Sequence, residues 1–287
     1  LALAAIMLIG MMVVSASAAS YNDLTDKDQI VNKDAVSMLV TLGVIEGKPD
    51  GSYAPTEGVD RAQMAKMISV IMNQGVDNGA LYENSPSGLT DISSHWAKGH
   101  INYCYTTGII AGRGTGTFDP SATVTALEAA KMLLVAVGYD PAIEGFEGAD
   151  WAINVSVRAD EQGIFEGFTK DLSAPLNRDD AALLIYNALD VEMIQSYTTN
   201  NYPIAYSDHR TILADKYGVI KVQGVVVANE WASLASDDGD AALKEGKTTI
   251  YNGEGIFSTT GNTTVSKEDA SLKTQTFNVS TPVDMLG

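Results

Sequence analysis

The feature that most constrains this fold is a thirteen-residue glycine loop that occurs three times along the chain. The copies span residues 43–55, 108–120 and 163–175. Each begins with glycine, has a second glycine at its fifth position and ends with proline. Repeated units fold by packing on one another, because a single unit cannot bury its apolar face alone. The repeats therefore predict the architecture before any local motif is considered.

An amphipathic helix is predicted on each side of the loop. In the second copy, apolar residues at helical spacing run over residues 95–107 and stop at Gly108, where a helix-capping glycine belongs. Beyond the loop, Thr125 and Glu128 form a capping box ahead of an apolar run. The other copies follow the same plan, so each repeat is predicted as helix, glycine loop, helix.

Arginines follow two of the predicted helix caps. Arg61 comes directly after Asp60, and Arg178 directly after Asn177. A cation at this end opposes the helix dipole, yet an arginine beside exposed backbone N–H groups makes a site for a carboxylate or phosphate. Local sequence leaves two interpretations open: an anion-binding arginine, or a surface arginine paired with a neighbouring carboxylate.

Net charge excludes one class of partner. The chain has 287 residues and a net charge of −18, and nucleic-acid binding depends on lysines and arginines that neutralise phosphates. We therefore expect no nucleic-acid partner and no adsorption to anionic membranes by bulk charge. With Cys104 as the single cysteine, an intramolecular disulfide and a thiolate zinc site are both excluded.

No catalytic or metal-binding motif is found. The glycine loops lack the G-K-[ST] ending of a phosphate loop, and the three histidines lack metal-ligand spacing. The serine-hydrolase elbow is absent, and acidic residues are too common for a glycosidase pair to be assigned. The acidic run at residues 237–240 lacks EF-hand alternation and leaves only a loosely bound calcium open. We expect no enzymatic activity, no cofactor and no structural metal.

The first residues read as an export signal. Residues 1–19 combine an apolar run with A-x-A and S-x-A cleavage signals. The alternative is a membrane anchor, but the apolar part has about 14 residues and a bilayer needs about 20. We expect a signal peptide, truncated at its start, and therefore an exported protein with no membrane contact after cleavage.

The predicted domains follow from these boundaries. Repeat 1 is residues 20–77, repeat 2 is 84–140 and repeat 3 is 141–197. After the linker-like "TTNNYP", residues 198–287 predict a small β-rich module, complete or part of a larger domain. Residues 219–228, which Gly224 interrupts, are predicted as a strand pair or a bulged strand. The other strand candidates are the segments "TTIYN", "GIFSTT" and "TQTFNVS". The predicted fold class is α+β, with an all-α repeat region followed by a β-rich module.

The repeats resemble the S-layer homology (SLH) domain. The stretches "LTDISSHWAKGHI", "GIIAGRGTGTFDP" and "VTALEAAKML" match its pattern, and the resemblance covers three repeats over residues 20–197. It implies a pseudo-threefold bundle whose inter-repeat grooves bind a secondary cell-wall polysaccharide attached to peptidoglycan. The ligand is typically a pyruvylated sugar. The resemblance also implies a Gram-positive-type cell surface and possible self-assembly in a surface layer.

The same resemblance implies the ligand-binding residues. These are Arg61 and Arg178 of the caps, Asp91 near the start of repeat 2, and Trp96 and Trp151. The tryptophans could stack on a sugar face or be core aromatics, and both interpretations stay open. We expect the groove that combines Arg61 with Asp91 and Trp96 to be the most complete.

The repeats also depart from the SLH pattern. Repeat 2 has Ala126 in the arginine position, repeat 1 has Val31 in the tryptophan position, and repeat 3 has Asp150 in the histidine position. We expect the groove that relies on Ala126 to bind weakly or not at all. The first hypothesis is a cell-wall anchor. The alternatives are the anchor of a surface hydrolase whose catalytic domain lies beyond residue 287, and a structural repeat without a ligand.

Overall fold

The computed structural model describes residues 7–9, 20–222, 224–234, 242–251 and 274–287. These contain helices and small antiparallel sheets, so the predicted α+β class is confirmed. The chain divides into two compact units, one ending at Ser207 and one that begins at Asp208 and includes the first strand. Among the described residues, we find no helix with the length and apolarity needed to cross a membrane.

The first unit is built from six helices. They are α1 Lys33–Thr41, α2 Arg61–Met72, α3 Lys98–Thr106, α4 Ala126–Ala136, α5 Trp151–Glu161 and α6 Arg178–Ala188. Each predicted repeat contributes two of them, one before and one after its glycine loop.

The predicted caps are confirmed. The side chains of Asp60, Thr125 and Asn177 accept hydrogen bonds from the backbone N–H three residues on, at 2.7, 3.2 and 2.8 Å. The glycines that open the three loops have φ between 70° and 80°, a conformation that glycine adopts without strain. One boundary differs from the prediction: α3 begins at Lys98, so Trp96 precedes the helix.

Helices pair across repeats. The first helix of each repeat packs on the second helix of another: α3 on α2, α5 on α4, and α1 on α6. The pairing therefore forms a closed cycle over the three repeats. Further contacts of α4 with α2 and α6 connect the pairs.

A ring of backbone hydrogen bonds brings the three cap regions together. The N–H of Val59 donates to Leu176, that of Leu176 to Val124, and that of Val124 to Val59, at 2.9, 2.9 and 3.1 Å. All three side chains are buried. The ring places the start of each second helix beside the loop of a different repeat.

The stretch predicted as a linker is instead the turn of a hairpin. Strands β2 Ile194–Tyr197 and β3 Pro203–Ala205 pair antiparallel around it. The Thr198 N–H donates to the Tyr202 carbonyl at 2.9 Å, which closes the turn. The turn-forming residues of "TTNNYP" signal a change of direction, and composition alone does not distinguish a hairpin turn from a linker.

The second unit is β-rich, as predicted. Strands β5 Val225–Asn229, β6 Thr248–Tyr251 and β7 Thr274–Phe277 form an antiparallel sheet in that order. Its core contains Val226, Ile250 and Phe277. Helix α7, Ile212–Tyr217, was not predicted; Thr211 caps it.

Strand β1, Met7–Ile9, lies within the predicted signal peptide and pairs antiparallel with β4, Ile220–Val222. The remainder of residues 1–19, the strand candidate at residues 255–260 and the acidic run at 237–240 lie outside the described residues. The predictions for these segments stay predictions.

Candidate functional site

Backbone carbonyls of other repeats accept the hydrogen bonds at the N-terminal ends of the two helices that begin with arginine. The N–H of Arg61 donates to the Ala122 carbonyl at 2.9 Å, and that of Arg178 donates to the Glu57 carbonyl at 2.8 Å. The following N–H groups, of Ala62 and Asp179, donate to proline carbonyls of the neighbouring loops. The expectation of exposed N–H groups at these helix ends is therefore wrong, because another repeat's loop satisfies them.

The side chain of Arg61 holds the loop of repeat 2. It is 4% exposed. Its Nε donates to the Phe118 carbonyl at 2.9 Å and its Nη2 to the Ala111 carbonyl at 3.2 Å. The guanidinium lies 4.4 Å from the centre of the Phe118 ring. Burial, together with the nearby Arg113 guanidinium, lowers the pKa of Arg61, which remains charged at neutral pH.

Arg178 makes the same contacts with the loop of repeat 1. Its Nε donates to the Tyr53 carbonyl at 2.8 Å and its Nη2 to the Glu46 carbonyl at 3.4 Å. The guanidinium lies 4.8 Å from the Tyr53 ring centre. Each arginine thus fixes the glycine loop of another repeat, and the interpretation as a simple surface ion pair fails for both.

Asp91 also fixes a loop. Its carboxylate accepts from the N–H groups of Phe118 and Asp119, at 2.9 and 2.7 Å. Desolvation would raise the pKa of Asp91, but these backbone hydrogen bonds outweigh it and hold the pKa below its usual value. Asp119 adopts a left-handed φ of 61°, a strained conformation for a residue with a side chain. Asp91 therefore stabilises the backbone of the repeat 2 loop at this residue.

Asp26 performs the same task in repeat 1, and sequence reasoning missed it. It accepts from the N–H groups of Tyr53 and Ala54, both at 2.7 Å, and Ala54 also has a left-handed φ, of 56°. Both aspartates stand 27 residues before the aromatic residue of their loop. That equal spacing is the sequence signal that could have identified Asp26.

Two grooves contain the predicted arginines and tryptophans. Groove A is a cavity of about 280 Å³ lined by residues 43–48, Lys66, Asp77, Trp96 and Arg178, among others. Trp96 is 60% exposed, which excludes the core interpretation for this residue.

Groove B is a cavity of about 560 Å³ lined by residues 109–114, Arg61, Glu128, Lys131 and Trp151, among others. Trp151 is half-buried, and the Lys131 ammonium lies 5.9 Å from its ring centre.

The structure therefore regroups the predicted site. Arg61 and Asp91 both hold the loop of repeat 2, but Trp96 lies in groove A with Arg178. The partner of Arg61 is Trp151. The expected combination of Arg61 with Trp96 is wrong, because each groove takes its loop, its arginine and its tryptophan from three different repeats.

Two cations of groove B, Arg61 and Arg113, share the carboxylate of Glu128. Arg113 Nη1 lies 2.9 Å from Glu128 Oε1, and Arg61 Nη1 lies 3.7 Å from the same oxygen. Lys131 Nζ donates to the Phe146 carbonyl at 2.6 Å, and burial lowers the pKa of Lys131. Two guanidinium groups thus converge on one carboxylate oxygen beside an aromatic ring.

Groove C contrasts with both. This cavity of about 260 Å³ is lined by residues 167–170, Val31, Asp179, Asp180 and Leu183, among others. Lys170 pairs with Asp180 at 2.5 Å, and Asp179 accepts from the Asn32 side chain at 2.8 Å. Burial raises the pKa of Asp179.

Four positions of the repeat distinguish the grooves. Two lie on second helices, the first residue and the sixth residue, and each groove takes these two from different repeats. The other two are the residue after the second loop glycine and the tryptophan position. In groove order A, B, C the four positions hold Arg178, Arg61, Ala126; Lys66, Lys131, Leu183; Lys48, Arg113, Phe168; and Trp96, Trp151, Val31. Grooves A and B thus have three cations and a tryptophan, where the corresponding residues for groove C are apolar.

Ser69, His100 and Asp77 form a hydrogen-bonded row beside groove A. His100 Nδ1 lies 3.1 Å from Ser69 Oγ, and Nε2 lies 3.2 Å from Asp77 Oδ1. The types match a hydrolase triad, but Ser69 is completely buried, and a nucleophile must reach its substrate. In the part of the chain that the structure describes, no cluster of three or more metal-ligating side chains is found.

The chain is similar in sequence to proteins of the bacterial cell surface and cell wall. The family model of the S-layer homology domain matches residues 20–65 and 88–130. A cell surface protein of Thermoanaerobacter kivui is 25% identical over 256 residues, which cover 89% of this chain and 30% of that protein. A middle cell wall protein of Brevibacillus brevis is 27% identical over 206 residues, 71% of this chain and 18% of that protein.

An S-layer protein of Bacillus licheniformis is 33% identical over 113 residues, 39% of this chain and 12% of that protein. The chain therefore spans less than a third of the length of each of these relatives. The matches confirm the predicted secreted, cell-wall or cell-surface location. The S-layer homology domain model thus matches segments of repeats 1 and 2, and the similar proteins include S-layer proteins.

Proposed function

We propose that this chain anchors an exported protein to the bacterial cell wall without a covalent bond, through three SLH repeats in a pseudo-threefold bundle. The closed cycle of helix pairs supports the third repeat and the threefold arrangement. So does the ring that joins Val59, Val124 and Leu176. In this role the described residues bind and do not catalyse.

The proposed ligand is a secondary cell-wall polysaccharide that carries a carboxylate, as a pyruvylated sugar does. The observation that carries this proposal is the repeated composition of grooves A and B: a tryptophan beside an arginine, a lysine and a loop cation. Aromatic faces stack on apolar sugar faces, and arginine and lysine bind carboxylates. These cations stand out in a chain of net charge −18.

The proposed stoichiometry is two ligand sites per chain. Groove C lacks the tryptophan and the three corresponding cations, and the Lys170 ammonium that lines it is paired with Asp180. It therefore offers less than grooves A and B to balance the desolvation of a carboxylate. We expect it to bind an anionic sugar weakly or not at all.

A second candidate is an anchor that displays a surface hydrolase. Regions of an exoglucanase of Acetivibrio thermocellus and of an amylopullulanase of Thermoanaerobacterium thermosulfurigenes are each 28% identical to 60% of this chain. Both candidates predict wall binding by this chain. A catalytic domain in the same polypeptide beyond residue 287 would separate them.

The direct test is co-sedimentation of the chain with purified cell walls, before and after the polysaccharide is stripped. We expect binding to unstripped walls only. Trp96→Ala and Trp151→Ala should each weaken it about tenfold, given the size of stacking and cation–π contributions. Trp231→Ala is the matched control, because Trp231 is exposed and belongs to the other unit.

Two results would contradict the proposal. Equal binding to stripped walls would exclude the polysaccharide, and no binding to any wall would support a structural repeat without a ligand. Walls treated with mild acid to remove pyruvate ketals would test the carboxylate. We expect them to bind as weakly as stripped walls.

A further inference from the structure

His100 is a buried titratable group next to groove A. It lies on α3, is 5% exposed and is held between Ser69 and Asp77. Its position requires a glycine in the turn that covers it: a Cβ added at Gly79 would lie 2.6 Å from His100 Nε2. The ring is therefore fixed, with a hydrogen-bond partner at each nitrogen.

Asp77 connects this ring to the groove. Its Oδ1 faces His100, and its Oδ2 lies 2.8 Å from Lys66 Nζ. Lys66 and Asp77 both line groove A. A row of three charged or titratable groups thus leads from the α2–α3 contact into the proposed ligand site.

Among the described residues, no such row is found at Lys131, the corresponding lysine of groove B. Lys131 donates to a neutral backbone carbonyl, that of Phe146. Burial lowers the pKa of Lys131, and the nearby Glu147 carboxylate opposes this shift without outweighing it. The two grooves share the lysine and differ in what holds it.

We propose that Asp77 and His100 are positioning residues for Lys66, and that a proton on His100 strengthens the binding of an anionic sugar in groove A. While His100 is neutral, the charges of Lys66 and Asp77 balance one another. Once His100 is protonated, it balances Asp77, and the charge of Lys66 is available to the ligand. This inference rests on the proposed function.

The surroundings of the ring support both protonation states. The charged groups that face it are Asp77 and, on α2, Lys66; Ser69 of α2 is the neutral partner. The Ser69 hydroxyl can donate to Nδ1 of the neutral ring or accept from Nδ1–H of the charged ring. Burial lowers the pKa of His100, Lys66 acts in the same direction, and Asp77 opposes both. The folded chain therefore takes up this proton at a lower pH than a histidine with the ordinary pKa of about 6.5 does.

Tryptophan indole signals allow each groove to be measured separately. The chain has three tryptophans: Trp96 in groove A, Trp151 in groove B and Trp231 in the other unit. The probe is a methyl glycoside bearing one pyruvate ketal, added to the ¹⁵N-labelled full chain between pH 5 and pH 8. Its carboxylate stays ionised over this range.

We expect the affinity reported by Trp96 to rise on acidification by about threefold to tenfold, the size that one added unit charge produces at a partly solvated site. The affinity reported by Trp151 should stay constant. His100→Gln should remove the pH dependence at Trp96. Asp77→Asn should also remove it, and this variant alters a half-exposed side chain without changing its size.

His95 needs its own control, because its ring lies 5.5 Å from that of Trp96. His95→Gln should keep the pH dependence. The inference is overturned if the sugar affinity reported by Trp96 does not change with pH in the parent chain. It is also overturned if His100→Gln and Asp77→Asn keep the same pH dependence as the parent chain. Absence of binding at both tryptophans at every pH would instead overturn the proposed function, and this inference with it.

Discussion

Groove B and groove C have the same backbone plan and opposite chemistry. In both, the start of a second helix meets the loop of another repeat: Ala62 N–H donates to Pro120, and Leu127 N–H donates to Leu172. Groove B is also lined by Arg61, whereas the residue at the corresponding repeat position for groove C is Ala126. The comparison teaches that backbone hydrogen bonds can assemble the three cap regions, while side chains decide which groove is cationic.

In grooves A and B, one arginine both holds the loop of another repeat and adds positive charge to the groove. Arg61 donates to two carbonyls of the loop of repeat 2 and also lines groove B. A variant of such a residue changes both stability and binding, so the tryptophans, lysines and loop cations, which do not hold the glycine loop of another repeat, are the cleaner probes of ligand chemistry.

The largest expected effect is on stability. Arg61→Ala should lower the free energy of unfolding by about 3 kcal/mol, because two carbonyl oxygens lose their donor and Glu128 loses a partner. Urea unfolding of the full chain measures it. Arg113→Ala is the control: Arg113 contacts the same Glu128 from an exposed position and should change stability by less than about 1 kcal/mol. Equal effects would refute the loop-holding role of Arg61.

Conversion of groove B toward groove C comes next. Arg113→Phe combined with Lys131→Leu should weaken the Trp151-reported sugar affinity by about tenfold to hundredfold, since two charge-assisted contacts are lost. The Trp96-reported affinity should not change. Unchanged binding at Trp151 would mean that the cations of groove B do not contact the ligand.

The reverse conversion should have a smaller effect. Val31→Trp combined with Leu183→Lys gives groove C a stacking face and a cation, and Val31 is 81% exposed, so the new ring has room. We expect a third, weak site in calorimetric titration with the pyruvylated glycoside, at least about tenfold weaker than the other two, because Ala126 supplies no arginine. A stoichiometry that stays at two would show that stacking and one cation are insufficient.

The smallest effect concerns pH and stability. Because burial lowers the pKa of His100, the unfolded chain binds this proton more tightly than the folded chain. The stability that neutral His100 provides is therefore present above pH 6.5 and is lost as the pH falls through the lower folded pKa. The urea midpoint should fall less between pH 7.5 and pH 5 in His100→Gln than in the parent chain. The pKa of Asp77 is lowered below the ordinary carboxylate range, so Asp77 stays ionised in this window. Identical slopes would contradict the burial of a neutral ring.

Local features of the fold could be predicted from the sequence. The caps at Asp60, Thr125 and Asn177 and the glycines that end the first helices are all found where expected. Such features depend on residues within one helical turn, so spacing alone identifies them. Strands β4 to β7 were also predicted, but β1, β2 and β3 were not. The turn between β2 and β3, "TTNNYP", was taken for a linker because turn residues occur in both contexts.

The site residues were predicted individually but not their grouping. Sequence reasoning combined Arg61 with Trp96, whereas the structure combines Arg61 with Trp151 and Arg178 with Trp96. It also assigned Asp91 to the ligand, where the structure uses it to hold a left-handed loop residue.

The residue order by itself determined the repeats, their helices, their caps and which repeat lacks its arginine or tryptophan. The tertiary structure alone decided which side chains meet. Arg178 reaches the Tyr53 carbonyl across 125 residues, and each first helix packs on a helix from another repeat. The physical reason is that every repeat carries compatible apolar faces, so local sequence does not specify the partner. The cyclic packing that buries all of these faces specifies it.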